Sequence, residues 1–277
     1  KLLNSQMKKL RLKKKINIIN INQLNNKKLN NNCINLINVD FDTNNKNIHA
    51  NDYIKNCFNL AFKILKSGFT HKLINGPIDK SKFLKKKYLG ITEYISKSFD
   101  INKIAMLIYN KDLSVCPVTT HVPLKMVSKK ISQKLIKEKV ILIDNFYKKT
   151  LGYTAKIAVT GLNPHCESIL RFNEDHKIVS PAIKFLKKKG YKVDGPFSAD
   201  TIFLKQNRIK YNVVLGMYHD QVLSPIKTLK EYDAINITLG LPFIRISPDH
   251  GPNKNMINKN LSNPLSLIRA IKFLDKR

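Results

Sequence analysis

Apolar positions along this chain follow two rhythms. The first is a set of short β-branched runs, Ile16 to Ile21, Lys72 to Ile74, Leu113 to Val118, Ala155 to Val159 and Tyr211 to Leu215. They are near-continuous rather than alternating, as expected of strands covered on both faces. The second rhythm is helical spacing, carried by Asp52 to Lys66, Leu124 to Lys149, Ser180 to Lys189 and Pro264 to Leu274. Strands alternating with helices predict an α/β fold with a largely parallel sheet. The last helix has the clearest start: Ser262 suits a cap, Pro264 suits the first turn, and Leu267, Ile268, Ile271 and Leu274 make an apolar stripe. Asn22 to Asn32, rich in Asn and Lys, reads as a surface loop. No internal repeat and no composition break marks a linker.

Composition sets limits on this picture. At 277 residues and 43% hydrophobic content the chain can bury one large core or two smaller ones, which excludes a disordered tail protein. No run of about 18 apolar residues is present to form a membrane-spanning helix. The basic opening Lys1 to Lys15 lacks the uninterrupted apolar stretch and cleavage site of a secretory signal, so a cytoplasmic location is the expectation. Cys33, Cys57, Cys116 and Cys166 form no CxxC pair and read as reduced structural thiols. The formal charge, 50 minus 19 or +31, would suit a polyanionic partner. The lysines, however, are spread along the whole chain together with Asn and Ile, which makes a solvated basic surface the better reading and nucleic-acid binding a distant alternative. Such a surface favours anionic substrates.

The chemistry gathers where histidines follow apolar runs. His121 ends Val115-Cys-Pro-Val-Thr-Thr-His, His165 follows Ile157-Ala-Val-Thr-Gly-Leu-Asn-Pro, and His219 follows Val213-Val-Leu-Gly-Met-Tyr. Ligands of open parallel sheets bind beyond the carboxyl ends of the strands, and all three imidazoles would be delivered to that edge. Three convergent imidazoles suit a divalent metal with positions left open for a substrate hydroxyl. Asp220 and Asp200 are carboxylates that could orient a ligand imidazole or complete the site, with helix capping as the plain alternative. The lysine-free segment Ile235 to Gly251 carries Asn236, Arg245, Asp249 and His250 among apolar residues. An arginine there needs an anion, either a carboxylate of the protein or a phosphate of a ligand. Lys227, eight residues beyond His219, could serve the same anion or a proton transfer. The chain has neither a GxGxxG turn nor a GxxxxGK[ST] loop, so neither a Rossmann dinucleotide site nor a P-loop is expected.

Taken in order, Asn75-Gly-Pro-Ile-Asp-Lys80, Thr119-Thr-His-Val-Pro-Leu124, Gly161-Leu-Asn-Pro-His165, Gly195-Pro-Phe-Ser-Ala-Asp-Thr201, Met217-Tyr-His-Asp-Gln221 and Asn236 to Arg245 resemble the 4-hydroxythreonine-4-phosphate dehydrogenase family. The resemblance implies His121, His165 and His219 as metal ligands and Thr92, Lys227, Asn236 and Arg245 as substrate contacts. It implies that Pro248-Asp-His-Gly251 helps hold a dinucleotide through Asp249, His250 and Gly251. It further implies a two-lobed fold like that of isocitrate and isopropylmalate dehydrogenases, with residues 1–277 as a single catalytic unit of two intertwined α/β lobes, and a homodimer with the site between subunits. The implied reaction oxidises C3 of 4-phosphooxy-L-threonine with NAD or NADP and a divalent metal (zinc, magnesium, manganese or cobalt), then loses carbon dioxide to give 3-amino-2-oxopropyl phosphate. Proton handling falls to Lys227 or Asp200. The chain departs from the family pattern in several places. Ile91 and Asp79 stand where histidines are usual, and Cys166-Glu-Ser-Ile-Leu170 replaces a glycine-rich run. The usual opening strand is not found ahead of Lys1, so a truncated or divergent start is expected. A related dehydrogenase of a phosphorylated sugar acid such as threonate 4-phosphate is the alternative that Ile91 leaves open.

Overall fold

The structure, a computed structural model, describes residues 2–26, 29–41, 46–79, 83–84, 88, 90–167, 173–256, 259 and 261–276, with backbone alone at 25–26 and 46–49. Lys80, the last residue of the first family segment, and most of the stretch after His165 lie outside the described residues. The chain divides into two compact units, Lys1–Lys72 and Leu73–Arg277.

The first unit holds helix α1 (Leu2–Lys9), strands β1 (Ile16–Ile18) and β2 (Ile34–Leu36), and helix α2 (Lys46–Lys66). β1 and β2 pair in parallel, with Ile16 opposite Ile34 and Ile18 opposite Leu36, and the Asn17 amide donates to the Asn35 side chain at 3.0 Å. The run read as a strand from Ile16 to Ile21 stops at Ile18 and turns into a 3₁₀ segment, Ile21–Asn26. The Asn side chains that follow compete for backbone bonds: the Asn20 side chain accepts from the Asn22 N–H at 3.0 Å.

The second unit is built on one sheet of eight strands: β3 (Lys72–Ile74), β4 (Ala105–Tyr109), β5 (Ser114–Thr119), β6 (Ile157–Thr160), β7 (Val193–Phe197), β8 (Val213–Tyr218), β9 (Ile235–Leu239) and β10 (Ile244–Pro248), in the order β3-β10-β9-β4-β5-β8-β6-β7. The β5-β8-β6-β7 half is parallel, whereas β4 runs antiparallel to both β5 and β9, and β9 to β10. The fold is therefore α/β on a mixed sheet, and its parallel half carries the three histidine-terminated strands. Both sheet faces are covered. Leu107, Cys116, Val118, Ile157, Val159, Val213 and Leu215 face one core cluster, while Met106, Ile108, Val115, Ala158 and Val214 face the other. This period of two within unbroken apolar runs is what a doubly covered sheet demands.

The longer described helices of this unit are α3 (Ile91–Ser98), α4 (Gln133–Phe146), α5 (Ser180–Lys188), α6 (His219–Lys230) and α7 (Leu265–Asp275). The long helix expected from Leu124 to Lys149 is broken. Ile131 and Ser132 are extended, and the Ser132 hydroxyl accepts from the Leu135 N–H at 3.2 Å, starting α4 afresh. The α7 stripe is also corrected: Ser266, Ala270, Phe273 and Leu274 are buried, and Leu267, Ile268 and Ile271 are exposed. Ser266 sets this rotation by donating to the Ala234 carbonyl and accepting from the Asp249 N–H. At the start of α7, Asn263 rather than Ser262 accepts from the Leu265 N–H, at 2.9 Å.

Candidate active site

Because β5, β8 and β6 are parallel neighbours, their last residues reach one edge together. His121 follows β5, His219 opens α6 directly after β8, and His165 sits five residues beyond Thr160 of β6. The first two meet: their ring centroids lie 5.7 Å apart with a 38° tilt. Thr119 ties their strands at this level, its hydroxyl donating to the Met217 carbonyl at 2.8 Å. Asp220 Oδ1 lies 2.6 Å from His219 Nδ1, a contact that suits the tautomer in which Nδ1–H donates to the carboxylate and Nε2 presents its lone pair to a ligand.

Metal–nitrogen bonds of about 2.1 Å bring two imidazoles on one ion to a comparable separation, so His121 and His219 fit a shared divalent cation. His165 stands apart in an exposed turn, and among the described residues no three His, Cys, Asp or Glu side chains converge as a ligand set. His121 and His165 both hold left-handed backbone, at φ 37° and 55°, which costs a non-glycine residue of order 1 kcal/mol or more and is concentrated at functional positions.

Beside the two imidazoles opens a cavity of about 570 Å³, walled by Thr92, Asn236, Arg245, Asp249, His250 and Gly251 from the expected set and also by Ile91, Asp79 and Asn75. Arg245, in the middle of β10, is 2% exposed. Its guanidinium donates to Asn75 Oδ1 at 2.7 Å, Thr238 Oγ1 at 3.0 Å and Thr92 Oγ1 at 3.5 Å, all neutral oxygens. Burial pulls its pKa down to about 10, opposed by the field of Glu93. Asn236 Oδ1 is buried without a hydrogen-bond partner. Among the described residues, a cation without a paired carboxylate and an acceptor without a donor in one wall make a surface ready for a ligand carrying both an anion and N–H or O–H donors.

Lys227 is committed elsewhere, its ammonium lying 2.5 Å from Asp249 Oδ2 and also bonded to the Asp249 carbonyl. It meets the cavity through Asp249, whose carboxyl is raised by burial and held back by Lys227. Asp200 is exposed in the short helix Ala199–Ile202 and does not line the cavity. Asp79, in place of a histidine, pairs with Lys254 at 2.5 Å on the rim. Asn75 carries no sign of a role in its local sequence, and its part in holding Arg245 arises from a pairing 170 residues away along the chain.

Residues 1–274 match the family model described as pyridoxal phosphate biosynthetic protein PdxA. The chain belongs to this family. A 4-hydroxythreonine-4-phosphate dehydrogenase from Sulfurihydrogenibium sp. (strain YO3AOP1) is 41% identical over 206 residues, which are 73% of this chain and 63% of that protein. The chain thus matches less than two thirds of that relative's length. A D-threonate 4-phosphate dehydrogenase from Pectobacterium atrosepticum is 35% identical, over 81% of this chain and 70% of its own. Among solved structures, 4-hydroxythreonine-4-phosphate dehydrogenase from Klebsiella pneumoniae superposes with a TM-score of 0.80 at 29% identity, covering 95% of this chain and 83% of that one. Isocitrate dehydrogenase from Methylococcus capsulatus shares the fold alone, at a TM-score of 0.50 and 9% identity over 78% of this chain and 70% of that one. The α/β class and the likeness to the isocitrate dehydrogenase fold read from the sequence stand. No described helix is long and apolar enough to cross a membrane.

Proposed function

We propose that the chain oxidises the C3 hydroxyl of 4-phosphooxy-L-threonine with NAD or NADP and then releases carbon dioxide, giving 3-amino-2-oxopropyl phosphate for vitamin B6 synthesis in the cytoplasm. The observation that carries this reading is Arg245: a cation 2% exposed, at the cavity wall, and bonded among the described residues to neutral oxygens. A phosphate or carboxylate supplies the missing anion, with Thr92 and Asn236 beside it to receive or donate hydrogen bonds.

His121 and His219 would hold a divalent ion (zinc, magnesium, manganese or cobalt), with His165 completing the set from a second copy of the chain in a homodimer. A metal there supplies Lewis-acid polarisation of the C3 oxygen. A nicotinamide cofactor would supply the hydride acceptor, and Asp249, His250 and Gly251 would hold it, with open space beside Gly251, where an added Cβ would meet no described atom within 4 Å. The Asp249 carboxylate takes the hydroxyl proton, and Lys227, whose ammonium lies 2.5 Å from it, holds that carboxylate charged and can pass one of its own protons onward. Asp200, exposed and not among the residues that line the cavity, is given no step in this reading. Carbon dioxide then leaves with its bonding electrons delivered toward the new ketone, and a proton returns to C2.

The test is metal-stripped protein followed by NADH and NADPH absorbance with 4-phosphooxy-threonine while divalent ions are restored singly. Reduction that depends on an ion and is lost in His219→Ala supports the reading; no reduction with any ion or either cofactor defeats it. Threonate 4-phosphate is the second reading, favoured by Ile91 in the cavity wall in place of histidine and by the Pectobacterium relative. Running both substrates in one assay separates them by kcat/KM.

A further inference from the structure

Asp175 takes no part in the reaction proposed above, yet it is a carboxylate with 0% exposure. Among the described residues its hydrogen-bond partners are neutral N–H groups. Oδ1 accepts from the Leu162 N–H at 2.6 Å, and Oδ2 accepts from both the Asn163 N–H and the Asn163 side-chain amide at 3.0 Å. Burying an unpaired carboxylate is costly, and the charge-assisted bonds that offset the cost all end on one short turn, the turn that carries His165.

The same turn is gripped on its other side. Gln221, two residues after His219, donates to the Gly161 carbonyl at 2.8 Å and accepts from Thr160 Oγ1 at 2.9 Å and the Met217 N–H at 2.6 Å. Gly161 leaves no room for slack, since an added Cβ would stand 2.7 Å from Cys166 Sγ and 3.0 Å from Asp175 Oδ1. Between these grips His165 and Cys166 are both held in left-handed backbone, at φ 55° and 60°. A free turn would relax from that conformation.

We propose that Asp175 is a positioning residue for the metal site: it fixes the Gly161–Cys166 turn so that His165 is presented at the sheet edge as a ligand. The proposal rests on the reading of His165 as a metal ligand. The loss falls on metal affinity and not chiefly on folding, because the sheet and core beneath the turn do not depend on where His165 points. Outer partners that orient a metal-binding histidine typically change affinity by about 10- to 100-fold when removed.

The experiment is calorimetric titration of the metal-stripped full chain with Co²⁺, alongside circular dichroism and thermal melting. Asp175→Asn keeps the shape but sets an amide N–H against a backbone N–H. The expected result is native secondary structure, Co²⁺ binding weakened about 10- to 100-fold, and a double variant with His165→Ala that binds no more weakly than His165→Ala alone. If His165→Ala weakens binding while Asp175→Asn does not, or if their effects simply add, the positioning role is overturned and the metal reading survives. If His165→Ala leaves Co²⁺ binding unchanged, the metal reading of His165 falls and takes the proposal with it. Should Asp175→Asn fail to fold, Asn163→Ala, which removes one of the three bonds and keeps the carboxylate, decides by the same criterion.

Discussion

Replacing Arg245 by methionine should separate stability from binding. The fall from 12.5 to about 10 in the pKa of this residue, which is 2% exposed, corresponds to about 3 kcal/mol of penalty for keeping its charge in the empty cavity wall. Methionine removes that penalty and also removes three hydrogen bonds to Asn75, Thr238 and Thr92. At about 1.5–3 kcal/mol each for bonds from a charged group these losses exceed the relief by about 1.5 kcal/mol or more, so the ligand-free variant should stay folded and melt several degrees below the parent. Binding should behave quite differently. Two charge-assisted bonds to an oxyanion, at about 1.5–3 kcal/mol each, amount to about 3–6 kcal/mol, or roughly a 10²- to 10⁴-fold weaker Kd. Calorimetric titration with 4-phosphooxy-threonine, and with inorganic phosphate as the simpler probe, reads this directly. The pH dependence has a fixed sign. Arg245 is charged below its pKa of about 10, so stabilisation by an anion should persist from neutral pH and fade as pH rises through about 10. A methionine variant that stays folded and binds within tenfold of the parent would refute the assignment of Arg245 as the anion anchor.

Three further outcomes follow from particular contacts. Lys227→Met removes the charge that holds the Asp249 carboxyl down against burial, so Asp249 should protonate at higher pH and the acidic limb of the kcat/KM profile should move upward. Gly240→Ala should cost more than about 3 kcal/mol, read as insoluble expression or a collapsed melting temperature, since Gly240 holds φ 94° and a Cβ there would lie 2.2 Å from the Lys103 carbonyl oxygen. Ser132→Ala removes the cap of α4 and should cost about 1 kcal/mol, a drop of about 3 °C by calorimetry, with KM unchanged.

Much of the second unit's sheet is legible in the chain because continuous β-branched runs have few other uses: β3 coincides with a segment read from periodicity alone, and β5, β6 and β8 overlap theirs but run one to three residues past its end. Other elements were hidden for physical reasons. β4 and the β9-β10 pair are antiparallel additions to the sheet, and apolar runs carry no sign of strand direction. The break at Ser132 depended on one hydroxyl finding one N–H, an event to which hydrophobic spacing is indifferent. The stripe on α7 was misplaced because a polar residue, Ser266, bonded on both sides by β9–β10 and their surroundings, outweighed the pull of Leu267, Ile268 and Ile271 toward the core.

The sequence by itself determined which residues could do chemistry: three histidines after three apolar runs, and an arginine stranded in an apolar segment. Only tertiary structure decided which of them meet. Parallel pairing of β5 with β8 brought His121 and His219 together, while the turn held by Asp175 and Gln221 kept His165 apart. Lys227 was drawn into an ion pair with Asp249, and Arg245 was set against Asn75, far away along the chain. Spacing along a chain records where side chains leave the backbone, and convergence depends on strand order and loop clamps set by long-range bonds.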